Sequence, residues 1–273
     1  MKEINAQDIK DIIEDSKIPP RMWNTNSDSL CNYMRNMDFL KSKLEKRALI
    51  PRYVVEPIRY LGVSDLWRVA FPMICFCDIP FSKIRIHIDR YGGYGLAFDK
   101  TKLLEKYGLQ PIHYISEKSS LKSDFNDAFQ CSMDNDIDEK LEPLADYLLS
   151  TLAFMKPVYE TRLEEGEEKR YIFQNECEWR YVPGSDLMPD DMDYILKNED
   201  ATKIICDLYS DSLEKHKEAW LKFEWDDVKY IIVPNEKRSM EIISFIRNMK
   251  IDECCKDVLI SEIEVSERFL GDV

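Results

Sequence analysis

The sequence has no hydrophobic run approaching the roughly 20 residues that a membrane-spanning helix needs. Its first residues, MKEINAQDIKDIIEDSK, are charged throughout and lack the apolar core of a secretory signal peptide. The composition, 44% hydrophobic and 33% charged over 273 residues, is ordinary for a soluble globular protein. We therefore expect a cytoplasmic protein that makes no contact with a membrane.

The chain also lacks a basic segment. It carries 38 lysines and arginines against 52 aspartates and glutamates, which gives a net charge of −14. Binding to a phosphate backbone depends on clustered Lys and Arg, so a nucleic-acid partner is disfavoured. The acidity instead supports solubility, or recognition of a basic protein.

Motifs for nucleotide phosphates and for zinc are missing as well. No GxGxxG or GxxxxGK[ST] pattern occurs, and none of the eight cysteines forms a CxxC pair. Cys75 and Cys77 alternate along a predicted strand, and His87 and His113 are candidate partners for them, but nothing fixes their spacing. We expect reduced, buried thiols, no metal and no resident cofactor. A general-base role is chemically open to either histidine, and a structural role is the alternative.

Glycine is scarce, with eight residues in the chain, yet Gly92, Gly93 and Gly95 fall within four positions. They lie inside the stretch Phe71–Lys100, whose pattern predicts a strand, a tight turn, a helix, a glycine turn and a second strand. The diglycine supplies backbone freedom that residues with side chains lack. The rest of the chain is organised around this unit.

The other patterns predict a single α+β domain over residues 1–273, with a central mixed or antiparallel sheet flanked by helices. There is no repeat and no low-complexity linker. The main elements that we expect are an N-terminal helix within residues 1–18, a helix over 30–40, a loop or insertion over 116–137, a helix over 141–152, and strands over 175–183, 229–233 and 258–263.

The stretch 175–183 carries the most suggestive polar residues. Strand alternation places Glu176, Glu178 and Arg180 on one face. One hypothesis is a carboxylate pair in a cleft, where a nearby cation orients one of the two acids. The other is a solvent-side ion pair on a half-exposed sheet.

Three stretches carry a family resemblance. They are MICFCDIPFSKIRIHIDRYGGYGLAFDK (73–100), the block EWRYV (178–182), and Pro51-Arg52-Tyr53 with Glu56. Together they resemble the AbiGi family of abortive phage-resistance proteins, over residues from about 20 to 265. The resemblance implies a bacterial phage-defence protein, the antitoxin half of a two-gene abortive-infection system, whose partner is a cognate toxin.

A weaker likeness is to the ADP-ribosyltransferase plan, which has a late Glu-x-Glu strand. It implies an enzyme that uses NAD, with Glu178 stabilising an oxocarbenium-like transition state and Glu176 as its companion. Where that plan has His-x-Thr, this chain has Trp23-Asn24-Thr25, so Thr25 alone matches. A non-catalytic relative of such a fold is the alternative.

The leading hypothesis is a protein that acts by binding a partner, through a face around His87, Tyr91, Tyr94, Glu178 and Arg180. The competing hypothesis is the enzyme, and the third is a housekeeping domain whose aromatic clusters are only core. The first two require the 73–100 and 178–182 segments to meet in the sheet and line a shared pocket.

Overall fold

The computed structural model describes residues 27–133, 141–164 and 167–270. Within them, fifteen strands form: β1 (Ser29–Met34), β2 (Ala48–Leu49), β3 (Arg52–Pro57), β4 (Arg68–Cys77), β5 (Tyr94–Asp99), β6 (Gln110–Pro111), β7 (His113–Ile115), β8 (Met155–Pro157), β9 (Tyr159–Glu164), β10 (Glu167–Ile172), β11 (Glu178–Tyr181), β12 (Leu196–Lys197), β13 (Leu221–Lys222), β14 (Val228–Val233) and β15 (Ile263–Val265).

The same residues form nine α-helices, joined by loops and short 3-10 turns: α1 (Met37–Lys46), α2 (Arg85–Tyr91), α3 (Lys100–Lys106), α4 (Ser120–Ser132), α5 (Glu142–Leu152), α6 (Lys203–Leu213), α7 (Glu236–Asn248), α8 (Glu253–Ser261) and α9 (Ser266–Leu270). None of the helices in the described ranges combines the length and the apolar character that a bilayer span requires.

The main sheet is built around β4. Its strand order is β15-β14-β5-β1-β4-β11-β6, and β3 and β12 also pair with β4. Every neighbour in this sheet is antiparallel except β14 with β15, which is parallel. The predicted α+β fold, a single domain with a mixed sheet flanked by helices, is confirmed.

The two faces of the sheet bury different clusters. Helices α1, α3, α7 and α8 cover one face, which carries the largest core cluster and includes Phe76, Leu96 and Ile231. Helix α2 covers the other face at β1, β4 and β5, through Ile84 and Ile88. The side chains of β11 divide accordingly, with Tyr181 in the large core and Glu178 and Arg180 on the α2 side.

The predicted helix over residues 30–40 is wrong in its first half. Residues 29–34 are strand β1, in the middle of the sheet, and the helix begins only after Asn36, whose side chain accepts a hydrogen bond from the third helical residue. Leu30 packs into the large core and Cys31 into the cluster under α2. A strand buried on both faces loses the polar–apolar alternation that identifies strands in a sequence.

The predicted loop over residues 116–137 is also wrong for most of its length, because residues 120–132 form helix α4. Ser119 caps its first turn, and Phe125 and Phe129, one turn apart, pack into the cluster beneath α5. These two apolar residues, surrounded by polar ones, are too few to give a recognisable helical periodicity in the sequence. The remaining positions 134–137 lie outside the described residues, as does the predicted helix within 1–18.

The predicted final strand over residues 258–263 is wrong as well. Helix α8 occupies 253–261, capped at its start by Asp252, and strand β15 begins only at Ile263. The predicted helix over residues 141–152 (α5) and the predicted strand over 229–233 (β14) are confirmed, whereas the predicted strand over 175–183 is reduced to residues 178–181.

Candidate functional site

Strand β11 lies beside the C-terminal half of β4. In their antiparallel register Glu178 is opposite Cys77, and Arg180 is opposite Cys75. Only residues 178–181 are strand, because residues 173–176 form a 3-10 turn and Cys177 has a left-handed backbone at φ 43°. The prediction that the two segments meet in the sheet is confirmed.

Arg180 is the centre of a buried ion-pair network. It is 0% exposed, its Nε lies 2.7 Å from Glu178 Oε1, and one terminal nitrogen lies 2.5 Å from Glu56 Oε1. The other terminal nitrogen donates to the backbone carbonyl of Ala153. Every arm of the guanidinium therefore has an acceptor, which is what burial of an arginine requires.

Lys156 extends the network to a third carboxylate. Its Nζ lies 2.6 Å from Glu178 Oε2 and 3.2 Å from Glu176 Oε2. On the other side, Glu176 Oε1 accepts hydrogen bonds from Arg90 at 2.6 Å and from the Tyr91 hydroxyl at 2.8 Å. Glu178 thus has a cation on each of its carboxylate oxygens.

These contacts set the protonation states. Burial alone would raise the pKa of Glu178, but Arg180 and Lys156 outweigh it and lower the pKa to about 2. Burial alone would lower the pKa of Arg180 and of Lys156, but Glu56 and Glu178 raise both. Glu178, Arg180 and Lys156 are therefore ionised at neutral pH, so Glu178 has neither a proton to donate nor an unpaired oxygen.

We expect acid to weaken the fold through Glu178. Because its folded-state pKa of about 2 lies below its ordinary value of 4.5, its contribution is complete above pH 4.5 and is lost as the pH falls toward 2. At 1.4 kcal/mol per pKa unit the contribution is on the order of 3 kcal/mol. Urea unfolding across the acid range, with Glu178→Gln beside the unaltered chain, measures it. Equal acid dependence in both proteins would contradict the assignment.

Three concave spaces adjoin the network. An inner cavity of about 220 Å³ lies between the sheet and α2, where His87 and Tyr91 line it. These two residues and Glu176 also line an open cleft of about 920 Å³. A third space of about 610 Å³ shares Glu56 and Lys156 with the inner cavity. The two segments therefore line a shared pocket, as predicted.

The predicted site residues on α2 and β11 come together, but not as a surface. Glu178 is 6% exposed and Arg180 is fully buried. His87 is buried and Tyr91 half-buried. A partner protein cannot reach the two charged residues of β11, so the predicted binding face is wrong in that part. The solvent-side ion pair is wrong for the same reason.

Two other predicted site residues are not part of this arrangement. Tyr94 is buried in the large core cluster, on the face of the sheet opposite to α2. The next residue of β5, Gly95, faces the Cys31 sulfur on the α2 side, so strand alternation turns Tyr94 the other way. Thr25 lies outside the described residues. In the described part of the chain no group of three His, Cys, Asp or Glu side chains is arranged to hold a metal ion.

Comparisons with known proteins were decisive for the family. A family model described as "Putative abortive phage resistance protein AbiGi, antitoxin" matches residues 47–234. The chain belongs to the AbiGi family. It is also 29% identical over 250 residues to "Abortive phage resistance protein AbiGi" of Lactococcus lactis subsp. cremoris, covering 82% of this chain and 99% of that protein. The predicted resemblance is confirmed, and with it a role in phage defence. No solved structure matches the chain.

The stretch matched to AbiGi, residues 47–234, contains every charged member of the network. It does not extend to β1, which forms one wall of the inner cavity. The ADP-ribosyltransferase likeness gains no support from the comparisons, and the paired oxygens of Glu178 do not favour a catalytic role for it. The absence of a resident cofactor stays a prediction.

Sequence reasoning missed Glu56, Arg90 and Lys156 as members of the network. Arg90 follows His87 by three positions on one helix, so a shared face was a usable signal. Glu56 was named only as part of the segment that resembles the family. Its position on a strand did not indicate which face of the sheet its side chain occupies. No sequence pattern indicated Lys156, because it lies 22 positions before Glu178 in the chain.

Proposed function

We propose that this AbiGi-family chain is an antitoxin that silences a toxic partner protein by binding it. The observation that carries the proposal is the family description, which names an antitoxin and matches more than half of the chain. An antitoxin of this kind needs a stable surface that the partner can reach. The buried ion network supports this by fixing the walls of the open cleft beside α2.

The open cleft is the contact surface that we propose. Its rim carries three exposed basic side chains, Lys83, Arg85 and Arg170. The two carboxylates that line it, Asp78 and Glu176, are buried and paired with Lys100 and with Arg90 and Lys156. On a chain whose net charge is −14 this rim is a local basic exception. An acidic segment of the partner is the complementary chemistry.

Charge reversal on the rim tests the surface. We expect Arg85→Glu with Arg170→Glu to weaken binding to the toxin by roughly tenfold to a hundredfold, because each reversal replaces an attraction by a repulsion. The toxin to use is a neighbouring gene's product that stops growth when it is expressed alone. Binding is measured by titration of the purified pair, and silencing by growth during co-expression.

A matched control carries the same change of charge elsewhere. Arg247→Glu with Lys250→Glu alters two exposed residues at the end of α7, which covers the opposite face of the sheet. These substitutions should leave binding and silencing unchanged. If the unaltered chain does not bind a toxin, the antitoxin proposal fails. If it binds and the rim variant binds equally well, only the cleft assignment fails.

A further inference from the structure

The inner cavity beneath α2 is mostly apolar. Its walls include the thiols of Cys31, Cys75 and Cys77 on the sheet and Tyr91 on α2, which also lines the open cleft. Sulfur and aromatic rings make favourable contacts with apolar and aromatic groups. A cavity with such walls and a small number of polar groups has the general character of a ligand site.

Two polar groups that line this cavity, His87 Nε2 and the Tyr33 hydroxyl, are buried without a hydrogen-bond partner among the described residues. His87 is 5% exposed, and its Nε2 has no hydrogen-bond partner among the described residues. Burial lowers the pKa of His87 despite the opposing influence of Glu176, so the ring is neutral. A buried polar group without a hydrogen-bond partner is unfavourable, and a ligand that supplies the partner removes that penalty. The Tyr33 hydroxyl, beside the Cys31 thiol, is buried in the same cavity.

The charges around the cavity select the kind of molecule that would fit. Lys156 is paired with Glu176 and Glu178, and Glu56 with Arg180, so the charged groups already satisfy one another. A charged ligand would have to break one of these pairs, at the cost that buried pairs impose. A neutral ligand leaves them intact. The volume, about 220 Å³, is below the range typical of drug-sized ligands and suits one ring system.

We propose that the cavity binds a small neutral heteroaromatic molecule whose polar edge forms a hydrogen bond with His87 Nε2. Its ring contacts Tyr91 and the cysteine sulfurs. It enters from the open cleft, because His87, Tyr91 and Glu176 line both spaces. The proposal does not depend on the chain being an antitoxin.

Histidine NMR tests this site directly, because the chain has three histidines. The protein is prepared with ¹⁵N-labelled histidine, and adenine, uracil and indole are added one at a time at millimolar concentration. We expect at least one of these probes to shift the Nε2 signal of His87. The signals of His113 and His216 should not move. The full chain is used, and the signals are assigned with His113→Gln and His216→Gln.

Two substitutions show whether a bound probe occupies this cavity. Cys75→Met fills it and should weaken binding at least about tenfold, or 1.4 kcal/mol. Cys131→Met, on an exposed face of α4, should not. If Cys75→Met does not fold, as judged by its melting curve, Cys77→Met replaces it as the cavity-filling variant, because Cys77 lines the same cavity. If no probe binds, or if binding persists in the filled variant, water is the occupant and the proposal is wrong.

Discussion

Replacing Arg180 with methionine is expected to lower the free energy of unfolding by about 3–5 kcal/mol, because it removes the guanidinium that the buried Glu56 and Glu178 share and leaves Glu178 with Lys156 alone. Glu178 and Glu56 both bond to this guanidinium, and both are almost fully buried. Methionine has a similar volume although it is shorter, so the loss reports mainly the charge rather than a cavity. Urea unfolding at neutral pH measures it.

Arg52→Met is the matched control for that experiment. Arg52 forms ion pairs with Asp207 and Asp211, but its side chain is 51% exposed, and so are its partners at 50% and 72%. Exposed pairs contribute about 0–1 kcal/mol, so this variant should unfold almost like the unaltered chain. A loss below about 1 kcal/mol for Arg180→Met would mean that its carboxylates are accessible to water.

Gly92→Ala should cost about 3 kcal/mol or more, through backbone strain and a steric clash together. Gly92 ends helix α2 with φ at 109°, a conformation that residues with a side chain rarely adopt. A β-carbon at this position would lie 2.4 Å from the backbone oxygen of Met34 and 2.5 Å from the Cα of Arg35. Backbone atoms, unlike side chains, cannot relieve the clash by rotating to another rotamer, so α2 or β1 would have to shift.

Gly108→Ala provides the comparison. A β-carbon there meets nothing within 4 Å, and its backbone is not in the left-handed range. Alanine should therefore be neutral or stabilising by about 0.4–1 kcal/mol, through the unfolded chain. Both variants are compared by thermal and urea unfolding. Equal stability for the two would show that the end of α2 is not held against β1.

The glycine turn and the alternating β11 were predictable because each depends on local chemistry. A diglycine between two apolar runs requires a turn, and the Glu178–Tyr181 sequence fixes which side chains share a face. Strand β1 was not predictable in the same way. Both of its faces are covered, one by the large core cluster and the other by the cluster under α2, and that covering is a property of the tertiary structure.

The candidate site shows the same division. The pairing of Glu178 with Arg180 follows from strand alternation, and Arg90 follows from its spacing to His87. The participation of Lys156 and Glu56 depends on how β3 and β8 are placed against β11, which no local pattern contains. The burial of Tyr94 on the opposite face is a further case, since a tyrosine beside glycines gives no indication of which face it takes.

Strand β4 is ten residues long, and its two halves have different neighbours. Residues 68–73 pair with β3, and residues 74–77 pair with β11, with β1 joining at Cys77. One continuous strand therefore pairs with β3 in its first half and with β11 and β1 in its second half. Separation of either set of partners would disturb β4 and so affect the other set. We therefore expect the amide protons of β4, which forms the floor of the inner cavity, to be among the most protected from exchange with solvent. We expect local opening of the cavity to occur instead at the wall formed by α2.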